Sequence, residues 1–369
     1  MKSPFMEEAL ALARQGLGRT SPNPAVGAII VSNAVRDGEI VGRGFHTWAG
    51  VKHAEILALE EAGKRACGAD LYLTLEPCSH HGRTPPCADA VIAAGVSRVI
   101  VAMPDPNPLV SGQGIRHIEA AGIPVEMAVE YTADAQQLNE AFIFAVRNGR
   151  PLVTLKSAVT LDGKIAAPED NSGWITSEQA RAHVQQVRHL HDAILTGIGT
   201  VLGDDPLLTD RTQTERARPL LRIVVDSTLR IPLDSRMVMS AANDVLVATT
   251  SASSAERRRH LESRGVRVLV ADGPGGRTDL RQVVDYLAKE QYRSLMIEAG
   301  SKVNWAALEA GVVDKIFFYY APKILGGMQS LPVVGGAGRK HRKDAILFRD
   351  VRLHQITKEE FAVEAWVVK

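Results

Sequence analysis

The sequence has 369 residues, of which 45% are hydrophobic and 23% charged, a composition typical of globular proteins and unlike that of disordered or collagen-like chains. The 43 Lys and Arg residues nearly balance the 42 Asp and Glu residues, so a nucleic-acid partner is not expected. The apolar runs are strand-sized, so a membrane span or membrane partner is not expected either. Three cysteines, an odd number, favour a cytoplasmic location over a disulfide framework.

The first 147 residues alternate between helical and extended patterns, which indicates an α/β fold with helices on both faces of one sheet. Helices are predicted over 5–17, 53–66, 85–95, 112–121 and 131–147, and strands over 25–32, 38–45, 69–75, 97–103 and 123–127. A polar break, RNGRP, then separates the segment 1–147 from the segment 151–369. The chain length likewise predicts two domains.

The pattern restarts at residue 151. Strands are predicted over 152–159, 193–197, 222–226, 244–250, 266–271, 294–300, 315–322, 347–353 and 361–368, and helices over 177–189, 253–264, 278–290 and 302–310. Because alternation gives way to successive strands at the end, we expect a mixed sheet with an antiparallel C-terminal edge.

The clearest chemical signal lies in the first segment, where the triplet HAE at 53–55 precedes Cys78 and, after eight more residues, Cys87. Zinc prefers imidazole and thiolate ligands, and His53 with the two cysteines leaves a fourth position for water, as in catalytic zinc sites. Glu55 can move a proton from that water to a leaving group. The first turn of the helix that holds Cys87 favours a thiolate there. The pattern is that of zinc nucleobase deaminases, except that their cysteines are separated by two residues.

Other interpretations of these residues are open at this point. The cysteines could be small buried hydrophobic residues and His53 a helix cap. A structural zinc in a binding module would need a fourth ligand, which Cys67 could supply. A nucleic-acid base editor would share the zinc motif, although residues 1–150 carry 13 basic against 16 acidic residues.

Longer motifs point to a family. The triplet HAE, the run PCSHHGRTPPC and the run SPNPAVGA at 21–28 closely resemble the deaminase half of the bifunctional riboflavin-biosynthesis enzymes. The second segment resembles the reductase half of that family in SAVTLDGKIA, SGWIT, GTVLGDDPLLTDR and IEAGSKVN. The resemblance implies a cytidine-deaminase-like three-layer α/β domain over 1–147 and a dihydrofolate-reductase-like mixed-sheet domain over 151–369.

The resemblance also implies a hydrolase and an oxidoreductase in one chain. Zinc-activated water would deaminate 2,5-diamino-6-(5-phosphoribosylamino)pyrimidin-4(3H)-one to 5-amino-6-(5-phosphoribosylamino)uracil, and NADPH would then reduce the ribosyl group to give 5-amino-6-(5-phosphoribitylamino)uracil. The implied cofactors are Zn²⁺ and NADPH, and the implied partner is the phosphoribosylated pyrimidine. A homodimer or homotetramer is also expected from the family.

The family motifs assign roles to individual residues. In the deaminase half, Glu55 would be catalytic, and the others would bind zinc (His53, Cys78, Cys87) or substrate (Asn23, His80). In the reductase half, the positions matched to NADPH contacts are Ala158, Trp174, Thr200, Asp204, Ser227, Gly300, Ser301, Lys302, Val303, Asn304, Trp305 and Ala306. Those matched to substrate contacts are Ser172, Arg188, Leu208, Arg211 and Glu298. Lys156 is also assigned to substrate binding, where it would polarise the sugar carbon or contact its oxygen.

The two arginines suit a phosphate monoester, because a guanidinium can donate two parallel hydrogen bonds to its oxygens. Some of the matched residues also have a simpler interpretation. Without the family motifs, however, Trp174 would be interpreted as a core aromatic, Arg188 as a solvated helix residue and Lys156 as a charge at a strand edge.

Overall fold

The computed structural model describes residues 3–34, 38–47, 52–79, 86–108, 110–169, 173–216 and 218–369. The chain divides into two compact units, Met1–Gly149 with Glu215–Arg218 and Arg150–Thr214 with Pro219–Lys369. No helix among the described residues is long and apolar enough to cross a membrane. The predicted His80 and Ser172 lie outside the described residues.

The first unit contains a mixed five-stranded sheet of order β2-β1-β3-β4-β5. Strand β1 is antiparallel to β2 and β3, whereas β3, β4 and β5 are parallel. The strands are β1 Gly27–Ser32, β2 Glu39–Phe45, β3 Asp70–Leu73, β4 Arg98–Val101 and β5 Val125–Met127. The helices are α1 Pro4–Gln15, α2 Ala54–Ala62, α3 Cys87–Ala94, α4 Gln113–Ala120, α5 Thr132–Leu138 and α6 Glu140–Asn148.

Glycines allow helices α1 and α2 to lie directly on the sheet. A Cβ atom on Gly27 of β1 would lie 2.0 Å from the carbonyl oxygen of Ala9 in α1. On Gly44 of β2 it would lie 2.1 Å from the carbonyl oxygen of Ala54 in α2. Gly44 pairs with Ala28, the neighbour of Gly27, and successive strand residues face opposite sides. The two helices therefore cover opposite faces of the sheet, as the three-layer prediction requires.

The single helix predicted near 131–147 is two helices, and Asn139 lies between them. Its side-chain Oδ1 accepts a hydrogen bond from the Ala25 N–H at 2.8 Å, and its Nδ2 donates to the Ala25 carbonyl at 2.9 Å. Asn139 is 4% exposed. These two bonds hold the side chain of Asn139 at the break between the two helices.

The second unit contains a nine-stranded sheet of order β11-β10-β9-β8-β12-β6-β13-β16-β15. Seven strands from β11 to β13 are parallel, while β16 and β15 are antiparallel at one edge. This arrangement confirms the predicted mixed sheet with an antiparallel C-terminal edge. The strands in the sheet are β6 Leu152–Thr160, β8 Ala193–Gly197, β9 Leu221–Val225, β10 Val245–Thr249, β11 Val266–Val270, β12 Ser294–Ile297, β13 Lys315–Ala321, β15 Phe348–Gln355 and β16 Phe361–Val367.

Two short strands, β7 Lys164–Ala166 and β14 Leu331–Pro332, form a separate antiparallel pair that was not predicted. The helices of this unit are α7 Glu178–His189, α8 Ile198–Asp204, α9 Arg236–Met239, α10 Ala255–Glu262, α11 Leu280–Lys289 and α12 Ser301–Glu309. Helices α8 and α9 were also not predicted. In α8 the reason is composition, because two of its seven residues are glycine, which disfavours helix by about 1 kcal/mol each.

Candidate active sites

Three predicted metal ligands meet in the first unit. His53 is the N-cap residue of α2, Cys87 is the first residue of α3, and Cys78 lies on the segment after β3. Their ligand atoms all lie within 4.8 Å of one another. His53 Nδ1 is 3.1 Å from Cys87 Sγ and 3.6 Å from Cys78 Sγ. Zinc bonds of about 2.0 Å to nitrogen and 2.3 Å to sulfur separate the two atoms by about 3.5 Å in a tetrahedron, so the set fits zinc.

The two cysteines are held to each other by the backbone. The Cys87 N–H donates to Cys78 Sγ at 3.3 Å, and the Ala88 N–H donates to the Cys78 carbonyl at 3.1 Å. Hydrogen bonds to Cys78 from the Cys87 thiol, the His53 ring and the Cys87 amide outweigh burial and lower the pKa of Cys78 to about 4. The interaction with Cys78 and burial raise the pKa of Cys87. The amide at the start of α3 therefore helps to stabilise a thiolate on Cys78.

Glu55 lies in the first turn of α2, two residues after His53. It is 3% exposed, and burial raises the pKa of its carboxyl group to about 7. Its side chain also interacts with the Cys87 thiol. A carboxyl group that titrates near neutral pH can both accept and release a proton, which is what general acid and base catalysis requires.

Glu76 organises the approach to Cys78 and was missed as a site residue. Its buried carboxylate accepts hydrogen bonds from four backbone N–H groups at 2.9 to 3.3 Å, those of Asp105, Gly112, Gly114 and Ile115. A Cβ atom on Gly114 would lie 2.0 Å from the carbonyl oxygen of Pro77. The first turn of α4 therefore packs directly against Pro77, the residue that precedes Cys78. The signal that could have found Glu76 is its place in the run EPC.

Asn23, predicted to bind substrate, reaches the metal cluster through a second histidine. Asn23 Nδ2 is 3.1 Å from His46 Nε2, and His46 Nδ1 is 3.1 Å from the Lys52 carbonyl oxygen. Because a carbonyl only accepts, His46 carries its proton on Nδ1 and accepts the Asn23 amide on Nε2. The His46 ring stands edge-on to the His53 ring at 5.1 Å. His46 was also missed, since it lies outside the zinc motif.

A second cluster of charged residues lies in the second unit. Lys156 Nζ is 2.9 Å from Glu298 Oε1, and Arg188 Nη2 is 2.8 Å from Glu298 Oε2. Burial raises the pKa of Glu298, but the charges of Lys156 and Arg188 outweigh it and lower that pKa to about 2. Lys156 and Arg188 are only 6% and 5% exposed. The interpretations of Lys156 as a strand-edge charge and Arg188 as a solvated residue are therefore wrong.

The first turn of α12 carries buried polar atoms without partners among the described residues. These are Ser301 Oγ, Asn304 Oδ1 and Trp305 Nε1, on residues at most 8% exposed. Buried polar atoms normally have a hydrogen-bond partner, so atoms of this kind at a helix start indicate a polar ligand. The start of α12, with Gly300 as its N-cap, also presents backbone N–H groups of the kind that bind the diphosphate of a dinucleotide such as NADPH.

Most of the remaining predicted contacts lie where parallel strands end, the edge at which α/β sheets bind ligands. Thr200 and Asp204 lie on α8 after β8, Ser227 lies after β9, and Ala158 lies on β6. The segment Gly300 to Ala306, which includes Lys302 and Val303, begins α12, and a Cβ atom on Gly197 of β8 would lie 2.7 Å from Val303. Helix α12 therefore packs against the end of β8.

Three predicted contacts lie on irregular segments. Trp174 is 68% exposed beneath the Arg181 guanidinium, 4.8 Å away, so it is not a core aromatic. Leu208 is buried with a φ of 51°, and the Arg211 N–H donates to Gln185 Oε1. In the described part of the chain, no hydrogen bond or ion pair joins Trp174 or Arg211 to the cluster of Lys156, Glu298 and Arg188.

Each of the two segments matches a known family model. The family model of the RibD C-terminal domain matches residues 151–360, and that of the cytidine and deoxycytidylate deaminase zinc-binding region matches residues 1–103. The chain is 43% identical to the riboflavin biosynthesis protein RibD of Actinobacillus pleuropneumoniae, over 93% of this chain and 89% of that protein. It is 44% identical to RibD of Escherichia coli strain K12, over 89% of this chain and 90% of that protein.

Solved structures confirm the predicted two-domain α/β fold. The structure of Acinetobacter baumannii RibD superposes with a TM-score of 0.86 at 35% identity, covering 99% of this chain and 98% of that one. A Thermotoga maritima structure described as a diaminohydroxyphosphoribosylaminopyrimidine deaminase/5-amino-6-(5-phosphoribosylamino)uracil reductase gives 0.81 at 35% identity with the same coverage. The chain therefore belongs to the RibD family of riboflavin biosynthesis proteins.

Proposed function

We propose that the segment 1–147 deaminates 2,5-diamino-6-(5-phosphoribosylamino)pyrimidin-4(3H)-one and that the segment 151–369 reduces the product with NADPH. The observation that carries this assignment is the presence of two chemically different clusters in two separate compact units. One is a histidine and two cysteines beside a buried glutamate, and the other is a half-buried carboxylate between two buried cations. Both activities are named for the Thermotoga maritima relative.

In the deaminase reaction, His53, Cys78 and Cys87 would hold the zinc ion. Zinc supplies a Lewis acid that makes a water molecule acidic near neutral pH. Glu55 takes a proton from the attacking water and delivers it to the departing nitrogen, so the ring carbon gains oxygen and loses ammonia. Asn23, oriented by His46, donates or accepts hydrogen bonds at the edge of the pyrimidine. His80 is assigned to substrate binding by family resemblance.

In the reductase reaction, NADPH supplies a hydride and would lie along the first turn of α12 and the start of α8. The sugar C1 gains that hydrogen, and its bond to the ring oxygen breaks, so the oxygen must receive a proton. Lys156 is placed by Glu298 to donate it, because the ammonium group is a proton donor. Arg188 and Arg211 contribute positive charge for the substrate, whose phosphate is unchanged by the reaction. Ser172 and Leu208 complete the proposed substrate contacts.

We include in the proposal a homodimer or homotetramer in the cytoplasm. The edge strand β15 exposes Val351 and Leu353 by 60% and 73%. An exposed apolar strand edge is a surface that a second copy can cover. The three cysteines are not paired with one another, as is usual in a reducing compartment.

The test is to incubate the purified protein with the diamino substrate and to follow ammonia with and without NADPH. We expect ammonia in both cases and NADPH oxidation only after deamination. A Glu55→Gln protein should release no ammonia and oxidise no NADPH with the diamino substrate, yet should oxidise NADPH with the deaminated compound. If Glu55→Gln oxidises NADPH with the diamino substrate, the proposed order of the two reactions is wrong.

A further inference from the structure

An aromatic side chain lies beside the Lys156 ammonium group. Tyr319 on β13 pairs with Ala158 on β6, and Phe317 pairs with Lys156, so these side chains share one face of the sheet. Lys156 Nζ lies 5.7 Å from the centre of the Tyr319 ring. Tyr319 is 1% exposed, so its ring cannot move aside into solvent.

The Tyr319 ring is itself fixed by α7. Its hydroxyl lies 2.7 Å from His183 Nδ1, and the His183 ring stacks on Phe317 at 6.0 Å with an interplanar angle of 27°. Burial lowers the pKa of His183 and raises that of Tyr319, which favours the neutral form of both groups. Helix α7 also carries Arg188, so one helix positions both the tyrosine and the second cation at Glu298.

The ammonium group of Lys156 needs a second contact besides Glu298 to hold it in one position. Its ammonium group ends a flexible four-carbon chain, and Glu298 alone leaves it free to rotate about that contact. The face of an aromatic ring attracts a cation, and more strongly where water is excluded. The ring and the carboxylate together therefore restrict the ammonium group to one position.

We propose that Tyr319, held by His183, is a positioning residue that fixes Lys156 against Glu298 in the reductase site. The inference rests on the proposed reduction, in which Lys156 donates a proton to the ring oxygen of the sugar. Tyr319 acts through Lys156, so its loss should lower the turnover number of the reductase and leave the binding of NADPH unchanged.

The test compares Tyr319→Leu with Tyr319→Phe, using the deaminated pyrimidine as substrate. Leucine removes the ring, and we expect the reductase kcat to fall about tenfold or more. Phenylalanine keeps the ring but removes the hydroxyl that binds His183, and kcat should fall only a few fold. The KM and Kd for NADPH and the rate of ammonia release should stay within twofold of the wild type for both.

The matched control is Tyr320→Leu. Tyr320 is the next residue of the same strand, faces the opposite side and stacks on Phe361 at 5.1 Å. A loss of kcat that came only from a loosened strand would appear equally in Tyr319→Leu and Tyr320→Leu, and that result would overturn the proposal. A wild-type protein that fails to oxidise NADPH would instead contradict the proposed function, so the two failures are distinguishable.

Discussion

The backbone N–H of Cys87 donates a hydrogen bond to Cys78 Sγ at 3.3 Å, so one proposed zinc ligand is positioned by the residue that supplies another. Eight residues separate the two cysteines. The spacing is longer than the two residues of the nucleobase-deaminase motif, yet the start of α3 still lies against the segment that follows β3. Because the deaminase cluster lies within one compact unit, each activity can be altered while the other serves as an internal control.

Replacing a cysteine ligand should remove zinc and deaminase activity together. For Cys78→Ser we expect the zinc content to fall from one ion per chain to a small fraction, because a serine hydroxyl is a much poorer ligand than a thiolate. Metal analysis and ammonia release measure the two effects. The matched control is Cys67→Ser, since Cys67 is exposed and outside the cluster. Zinc loss in Cys67→Ser would support the structural-zinc alternative, in which Cys67 is the fourth ligand.

Treatment with a chelator should separate the two activities. We expect ammonia release to stop and NADPH oxidation with the deaminated substrate to continue, because no metal cluster is found in the second unit among the described residues. Adding Zn²⁺ should restore ammonia release. Loss of both activities after zinc removal would show that the reductase depends on the metal or on the fold of the first unit.

Gly42 should be required for the position of α2. A Cβ atom there would lie 2.2 Å from the Ala58 carbonyl oxygen of the helix that begins beside His53. Gly42→Ala must therefore push α2 away from β2, and we expect a loss of about 1–3 kcal/mol in the free energy of unfolding together with slower deamination. Thermal unfolding and ammonia release measure these effects. Arg43→Ala is the control, because Arg43 is exposed on the opposite side of the same strand and should change stability by less than about 1 kcal/mol.

The zinc ligands could be predicted from the sequence because they belong to short motifs, with two ligands at the starts of helices and one after a strand. Contacts that depend on strand order could not be predicted from the sequence. Without the family motifs Lys156 is interpreted as a strand-edge charge, yet β6 lies between β12 and β13 in the middle of the sheet. Its partner Glu298 is 142 positions away, and periodicity indicates which face a residue occupies but not which strand lies beside it. The hydrogen bonds between Asn139 and Ala25, 114 positions earlier, could not be predicted for the same reason.

The ionised Glu298 should stabilise the second unit, and the contribution should disappear in acid. Because its folded-state pKa of about 2 lies below the unfolded value of about 4.3, the stabilisation is present above about pH 4.3 and is lost as the pH falls toward 2. Glu298→Gln leaves Lys156 and Arg188 without their anion, and at about pH 7 we expect a loss of about 3 kcal/mol in the free energy of unfolding.

Urea unfolding of the wild type and Glu298→Gln at about pH 7 and about pH 3 measures the difference, which should shrink at the lower pH. Glu359→Gln is the control, because Glu359 is exposed and its substitution should change stability little at either pH. A difference between wild type and Glu298→Gln that stays constant from pH 7 to pH 3 would contradict the prediction. Such a result would mean that the carboxylate gains nothing from its two cations, and that packing of the side chain accounts for the loss.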